Sequence, residues 1–224
     1  MPQTVHSAEI LIAILVFLII FGIVVLVYLL KDRKKTAPAD TSDYGDAAEE
    51  RMARLFDDRY GTHRTMSGIY IKSGEKIAEI DHIVVTKKVI LVVETKSHKG
   101  LIVTDEGDGR MWIQKTATKT VKFYNPVWQN KTHCRLVKQI LDQNSLGDVP
   151  LVGLVVFDSK SAHFSKRVRN VIRSDRLPML LDKLDSQKLP NIPVSRAVQI
   201  IGTLERNCEE DREAQRQYVH QIAK

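Results

Sequence analysis

The stretch KIAEIDHIVVTKKVILVVETKSHKG (residues 76–100) decides the fold. It reads as two strands, 76–86 and 89–96, joined at Lys87-Lys88. Valine and isoleucine dominate both, and the second begins as an unbroken apolar run of the kind buried on both faces. Glu94 and Lys96 nevertheless stand at its end. Side chains alternate along a strand, so this carboxylate and ammonium share a face with Val92 and Ile90. A two-residue turn at Lys87-Lys88 sets Val85 opposite Ile90, Ile83 opposite Val92 and Asp81 opposite Glu94. A one-residue slip would mix the faces, so the apolar matches fix the register. Asp81 and Glu94 then become cross-strand neighbours, with Cβ atoms about 4.5–5.5 Å apart.

Two carboxylates at that distance repel unless a proton or a cation intervenes. Hard oxygen donors suit Mg²⁺ or Mn²⁺, and Mg²⁺ takes one or two carboxylates while keeping several waters. Lys96, one step along the same face, is placed to stabilise charge developing on a phosphoryl group. The E-x-K triplet alone has little specificity, because charged strand ends are common. The register, and two residues on flanking helices, give it weight.

The first of these is Glu49. Residues 45–60 carry Ala48, Met52, Leu55, Phe56 and Tyr60 at helical spacing. Glu49 has Met52, Ala53 and Phe56 at i+3, i+4 and i+7, so it leans over the buried edge. Glu50 has Arg54 at i+4, the ordinary solvent pair. The second is Gln129. A helix is expected from Asn125-Pro126, a polar cap followed by proline at the first position, to about residue 144. Gln129 lies on its stripe with His133, Leu136 and Ile140. An exposed helix glutamine fits the spacing equally well.

Shorter strands are expected at 68–72, 100–103, 110–115 and 119–124, the last three peripheral, and an apolar strand at 150–157. Two or three helices follow, including a charged one near 208–222. Helix, three strands, helix, strand is the order of an α/β domain with a mixed sheet.

The chain has 224 residues and a net charge of +7. All 34 Lys and Arg, and all but one of the 27 acids, follow residue 30, leaving +8 there. That balance favours a polyanion, nucleic acid or an anionic membrane surface, and it also serves plain solubility. The two cysteines, Cys134 and Cys208, form no CxxC pair, so a zinc ribbon is excluded and a reducing compartment fits. Residues 10–30 hold no charge, and 21 residues of helix span about 31 Å, the thickness of a bilayer core. Lys31, Arg33, Lys34 and Lys35 follow and no basic residue precedes. The expectation is an uncleaved anchor, N-terminus out, with the rest in the cytoplasm.

His82, beside an inward Asp81, should face the other side of the sheet as a packed or capping residue. His98 flanks the same site. Trp112 and Trp128 read as core rather than base-stacking platforms. Lys99, Lys115 and Lys122 are the candidate phosphate contacts, with solvated surface as the default for each. No Walker A, GxGxxG, HExxH or GxSxG pattern occurs.

EIDHIVVTKKVILVVETKSHKG followed by NPVWQNKTH resembles the nuclease-related domain (NERD) family, a branch of the restriction-endonuclease-like PD-(D/E)XK superfamily. The resemblance covers roughly residues 45–157. It implies the αβββαβ core of that superfamily. It also implies Glu49 as the first-helix acid, Asp81 and Glu94 as metal ligands, Lys96 as catalytic lysine and Gln129 as an auxiliary polar residue. Family members often carry G-x-x-G-E at the first helix, where this chain has Gly45 and Ala48-Glu49, and glycine in the strand turn, where it has Lys88.

The expected organisation is an extracytoplasmic segment 1–9, a transmembrane helix 10–30 and a linker 31–43. A nuclease-like core 44–160 and a mostly helical extension 161–224 follow. The expected activity is Mg²⁺- or Mn²⁺-dependent phosphodiester hydrolysis, with DNA as substrate. Asp81, Glu94 and the Thr95 carbonyl would be metal ligands, and the anchor would sit in the inner membrane of a bacterial cell. A non-cutting nucleic-acid-binding module and a membrane scaffold for lipid or protein are the alternatives.

Overall fold

The computed structural model describes residues 42–73, 76–104 and 109–208. The expected anchor, the segments flanking it up to residue 41 and the expected terminal helix beyond Cys208 lie outside these residues. Among the described residues no helix is long and apolar enough to cross a membrane.

The chain runs α1 (Ser42–Tyr60), β1 (Thr65–Ser73), β2 (Lys76–Val85), β3 (Ile90–Lys96), β4 (Gly100–Val103), β5 (Met111–Lys115) and β6 (Thr120–Tyr124). It continues through α2 (Pro126–Gln143), β7 (Leu151–Phe157), β8 (Ala162–Phe164), β9 (Val171–Arg173), α3 (Leu177–Asp185) and α4 (Val194–Glu205). Five strands form a mixed sheet in the order β1-β2-β3-β7-β9. Its first two pairings are antiparallel and its last two parallel. The expected αβββαβ order is present. Helix α1 begins two residues inside the expected linker.

The β2–β3 register follows the sequence argument: Val85 pairs with Ile90, Ile83 with Val92 and His82 with Val93. The turn closes without glycine. Thr86 N–H donates to the Val89 carbonyl at 2.9 Å, and the Thr86 hydroxyl accepts from Lys88 N at 3.1 Å and Val89 N at 3.0 Å. Positive φ outside glycine occurs only at Ser145 and Asn170 among the described residues, so Lys88 does not occupy the conformation that usually calls for glycine. Buried Arg64 clasps this turn, donating to the carbonyls of Val85, Thr86 and Ile192 at 3.0–3.2 Å.

Alternation sorts the strand residues into two cores. Ile83, Val85, Ile90 and Val92 pack with Leu136, Val137 and Ile140 of α2 and with Ile200 and Leu204 of α4. Val84, Leu91 and Val93 pack on the other face with Met52, Phe56 and Tyr60 of α1 and Leu177 and Leu181 of α3. Each such side chain contributes roughly 1.5–3 kcal/mol on full burial.

The strands read as peripheral make a sheet of their own, β6-β5-β4-β8. Trp112 and Ile102 seal it onto Val155 and Phe157 of the main sheet. Segment 161–224 is less helical than expected at its start: β8 joins the small sheet and β9 the large one. Three-residue strands carry too little periodicity to be read from sequence.

Helix α2 lies unusually close to β3 and β7. Asn125 caps it, accepting from Val127 N at 2.9 Å. One turn in, Asn130 is buried and donates from Nδ2 to the Val92 and Leu154 carbonyls at 2.9 and 3.0 Å. Gly153 makes the approach possible, since a Cβ there would meet Cys134 Sγ at 2.8 Å and Asn130 Nδ2 at 3.3 Å. Gly153→Val should therefore lift the helix and cost about 1–3 kcal/mol in urea unfolding. Gly45→Ala, where a Cβ meets nothing within 4 Å, should be neutral or stabilising by up to about 1 kcal/mol. Equal effects of the two would show that Gly153 has no packing role.

Candidate active site

The catalytic candidates sit where β2 and β3 part. Their ladder ends at His82–Val93, one residue short of Asp81 and Glu94. Thr95, next along β3, would have donated to β2. Its N–H instead reaches the Asp81 carboxylate, 2.6 Å from Oδ2. In a strand the N–H and C=O of one residue leave by the same edge. The Thr95 carbonyl therefore also points toward the β2 side, where Asp81 lies. Beyond the fork β3 continues with β7, Glu94 level with Val155 and Lys96 with Phe157.

Glu94 is fully buried, and its Oε1 accepts from Lys96 Nζ at 2.5 Å. Its Oε2 has no hydrogen-bond partner. Nδ1 of buried His133 lies 3.5 Å from it, and that nitrogen is unpartnered as well. Glu49 of α1 is half-buried and close enough to feel Asp81, Glu79 and Lys96. Glu50 is exposed and pairs with Arg54 at 3.2 Å, as its spacing required.

Three carboxylates thus share one ammonium. Burial, then the Asp81 charge, raises Glu94 to about 8. Burial raises Asp81 to about 6 against the pull of Lys96 and the Thr95 N–H. Burial and the charges of Asp81 and Glu79 bring Glu49 to about 7. Burial opposes the Lys96 ammonium, but Glu94 and Asp81 outweigh it and hold its pKa above that of an ordinary lysine. Lys96 stays charged at neutral pH, and the acids that one ammonium cannot balance hold protons instead.

The structure brings Glu49, Asp81, Glu94 and Lys96 together. Gln129 is half-buried one turn before His133, and its side chain makes no hydrogen bond among the described residues. Lys99, Lys115 and Lys122 are exposed, the last two on the outer face of the small sheet. His82 faces α1, packing on Phe56 and hydrogen-bonding Ser67 at 2.8 Å. His98 stacks on Phe123, and Trp112 is buried against Phe157. His133 and Glu79 were not singled out from sequence. Both had a signal: His133 is a polar member of an apolar stripe, and Glu79 shares the Asp81 face two residues away.

Among the described residues no three His, Cys, Asp or Glu side chains converge tightly enough to form a metal cage. A Mg²⁺ ion does not need one, since one or two carboxylates and water suffice. The orphaned Glu94 Oε2, the surplus of acids over lysine and the edge on which the Thr95 carbonyl lies make a donor set of hard oxygens that fits Mg²⁺ or Mn²⁺.

The crowding has a pH signature in the metal-free protein. Glu49 and Glu94 hold protons in the folded state that the unfolded chain has already released, so their contribution is lost as pH rises through about 7 and 8. Buried His82 and His133 and half-buried His98, lowered to about 4, act oppositely, and only below about 6.5. Between pH 6.5 and 8.5 the acids act alone. The melting temperature of the full chain in EDTA should fall by several degrees over that interval, at about 2–4 °C per kcal/mol for a domain of this size. Excess Mg²⁺ should flatten the fall. A flat or rising profile in EDTA would mean that the acids are not crowded.

Comparison with known proteins adds an independent finding. An uncharacterized protein of Bacillus anthracis is 30% identical over 149 residues, a match spanning 66% of either chain. No solved structure matches the chain. Residues 44–158 match the model of the nuclease-related domain. That span takes in α1, the β2–β3 fork, α2 and β7, the elements that carry Glu49, Asp81, Glu94, Lys96 and Gln129, and by it the chain belongs to the nuclease-related domain family.

Proposed function

We propose that this protein is a divalent-metal-dependent nuclease that hydrolyses phosphodiester bonds in DNA, held at the inner membrane by residues 10–30 with its catalytic domain in the cytoplasm. One observation carries the catalytic reading: three buried or half-buried carboxylates gathered round a single lysine at the strand fork. As a purely structural device that arrangement is costly, because the three acids have one lysine among them and it pairs with Glu94. The anchor and its orientation rest on the apolar run and the basic residues after it.

Asp81 and Glu94 would hold the Mg²⁺ or Mn²⁺ ion, with the Thr95 carbonyl as a further oxygen donor. Bound there, the ion supplies Lewis-acid polarisation of the scissile phosphate. Lys96 directs a fixed positive charge at the oxygens on which negative charge builds in the transition state. Glu49, poised near pH 7, accepts a proton from the attacking water. Asp81 is oriented by the Thr95 N–H, so its carboxylate does not have to reorganise as charge develops. Gln129 is placed to offer a neutral polar contact from the first turns of α2, and exposed Lys99, Lys115 and Lys122 to meet phosphates away from the cut.

The test is cleavage of linear, circular and single-stranded DNA by the full chain in mild detergent, with Mg²⁺ or Mn²⁺. Lys96→Ala should lose two or more orders of magnitude in rate while keeping the Mg²⁺-induced rise in melting temperature, since the lysine acts on the transition state. Asp81→Asn should lose both. Full activity in both variants would remove the fork from the chemistry. Metal-independent DNA binding without cleavage by wild type would favour a non-cutting module.

A further inference from the structure

The chain from the end of β8 to just past β9 carries the densest run of lysine and arginine among the described residues. Residues 164–176 read FSKRVRNVIRSDR, with Lys166, Arg167, Arg169, Arg173 and Arg176 against one acid, Asp175. The chain there crosses from β8 in the small sheet to β9 at the edge of the large one. Between the two strands lies a cavity of about 420 Å³. His163, Arg167, Arg173 and Arg176 line it, over Phe164, Val168, Val171 and Ile172, and no carboxylate does. Cavities against the C-terminal half of α2 and between α1 and α3 include Asp142 and Asp148 or Asp58 in their walls, and one beside Gly153 and Cys134 also lacks a carboxylate but has only Lys131 and Arg169 as bases.

Strand register ties this cavity to the fork. Lys96 is level with Phe157, and Phe157 with Arg173, on three adjacent parallel strands. In-register residues of parallel strands project from the same face. At about 4.8 Å per strand the Arg173 backbone stands roughly 10 Å from that of Lys96. A nucleic-acid strand rises about 3.4 Å per nucleotide, so this separation corresponds to about three nucleotides. Phe157 bridges the interval, packing edge-on to Phe164 in the cavity wall at 5.0 Å.

We propose that this cavity is a docking site for a nucleotide of the bound strand about three positions from the scissile bond. Arg167, Arg173 and Arg176 grip its phosphate, and Phe164 with the valines beneath receives its sugar or base. The inference extends the nuclease reading, on which the identity of the strand rests. Guanidinium groups on the rim suit phosphate, which they bind bidentately, and the apolar floor suits the flat, weakly polar remainder of a nucleotide. Asp175 gates the site. It holds Arg173 through two hydrogen bonds, at 2.9 and 2.8 Å, and lies 3.7 Å from Arg176, so an arriving phosphate must compete with it. The acids of the fork would by themselves repel a polyanion, and a basic grip beyond them on the same sheet offsets that repulsion.

The test is binding, measured apart from cleavage. A fluorescently labelled single-stranded 20-mer is titrated with the full chain in EDTA and mild detergent, over a range of KCl concentrations. Arg167→Ala/Arg176→Ala alters two exposed side chains and should weaken binding about tenfold. It should also shallow the log K against log salt slope by about 0.7, the value of one phosphate contact on a single strand. Asp175→Asn should tighten binding several-fold by releasing Arg173, a gain that no folding defect can imitate. The site is refuted if the double variant keeps the wild-type slope or if Asp175→Asn fails to bind more tightly. It is also refuted if vesicles of phosphatidylglycerol, rather than the oligonucleotide, respond to these variants. A wild type that binds as described but does not cut would overturn the nuclease reading and leave the docking site standing.

Discussion

A backbone N–H that loses its strand partner inside a protein must find another acceptor, and at Thr95 that acceptor is the Asp81 carboxylate. The rest of the site follows from this substitution. Strands β2 and β3 can part because the orphaned donor is satisfied by a side chain, at charge-assisted strength. The parting leaves the end of β3 with one neighbour, β7. Glu94 and Lys96 therefore project into space that a continuous ladder would have closed. The hydrogen bond also fixes the direction of Asp81 and accounts for part of why it ionises more readily than burial alone would allow.

The cost of the site is carried by packing elsewhere. Glu94 is fully buried with one oxygen unpartnered, and His133 faces it with a nitrogen equally unsatisfied. Each such group costs on the order of 1–3 kcal/mol. Two apolar cores, one on each face of the main sheet, offset it. The close seat of α2 matters most among these contacts. Gly153 gives the helix room and Asn130 ties it to the carbonyls of both central parallel strands. That seat carries Gln129 and His133, and it holds His133 against Glu94.

Charge is segregated along the main sheet. The acids gather at β2, β3 and the first half of α1, while the bases of residues 166–176 gather beyond β7. Between them Arg51 of α1 pairs with Asp158, which follows β7 and donates its own N–H to the Lys96 carbonyl. A polyanion lying across the edge would meet attraction on one side and, without a divalent cation, repulsion on the other. Loading with metal would then act on affinity as well as on chemistry, because it removes the repulsive half of that field.

Local pattern determined the elements that are long and periodic. The stripe of α1, the cap of α2, the apolar strands β3 and β7 and the β2–β3 register are all written in near neighbours, because alternation and helical spacing act over a few residues. The register in turn placed Asp81, Glu94 and Lys96 on one face, and the spacing of Met52 and Phe56 separated Glu49 from Glu50. Only tertiary structure decided the rest. The small sheet and strands β8 and β9 are too short to have a period of their own, and their pairing is fixed by Trp112, Phe157 and Val171 meeting across long stretches of chain. His133 reaches Glu94, Asn130 reaches two strands and Arg173 comes level with Lys96 through contacts 16 or more residues apart in sequence. No local pattern encodes these meetings, since they depend on which faces were left for each element to cover once the central strands had paired.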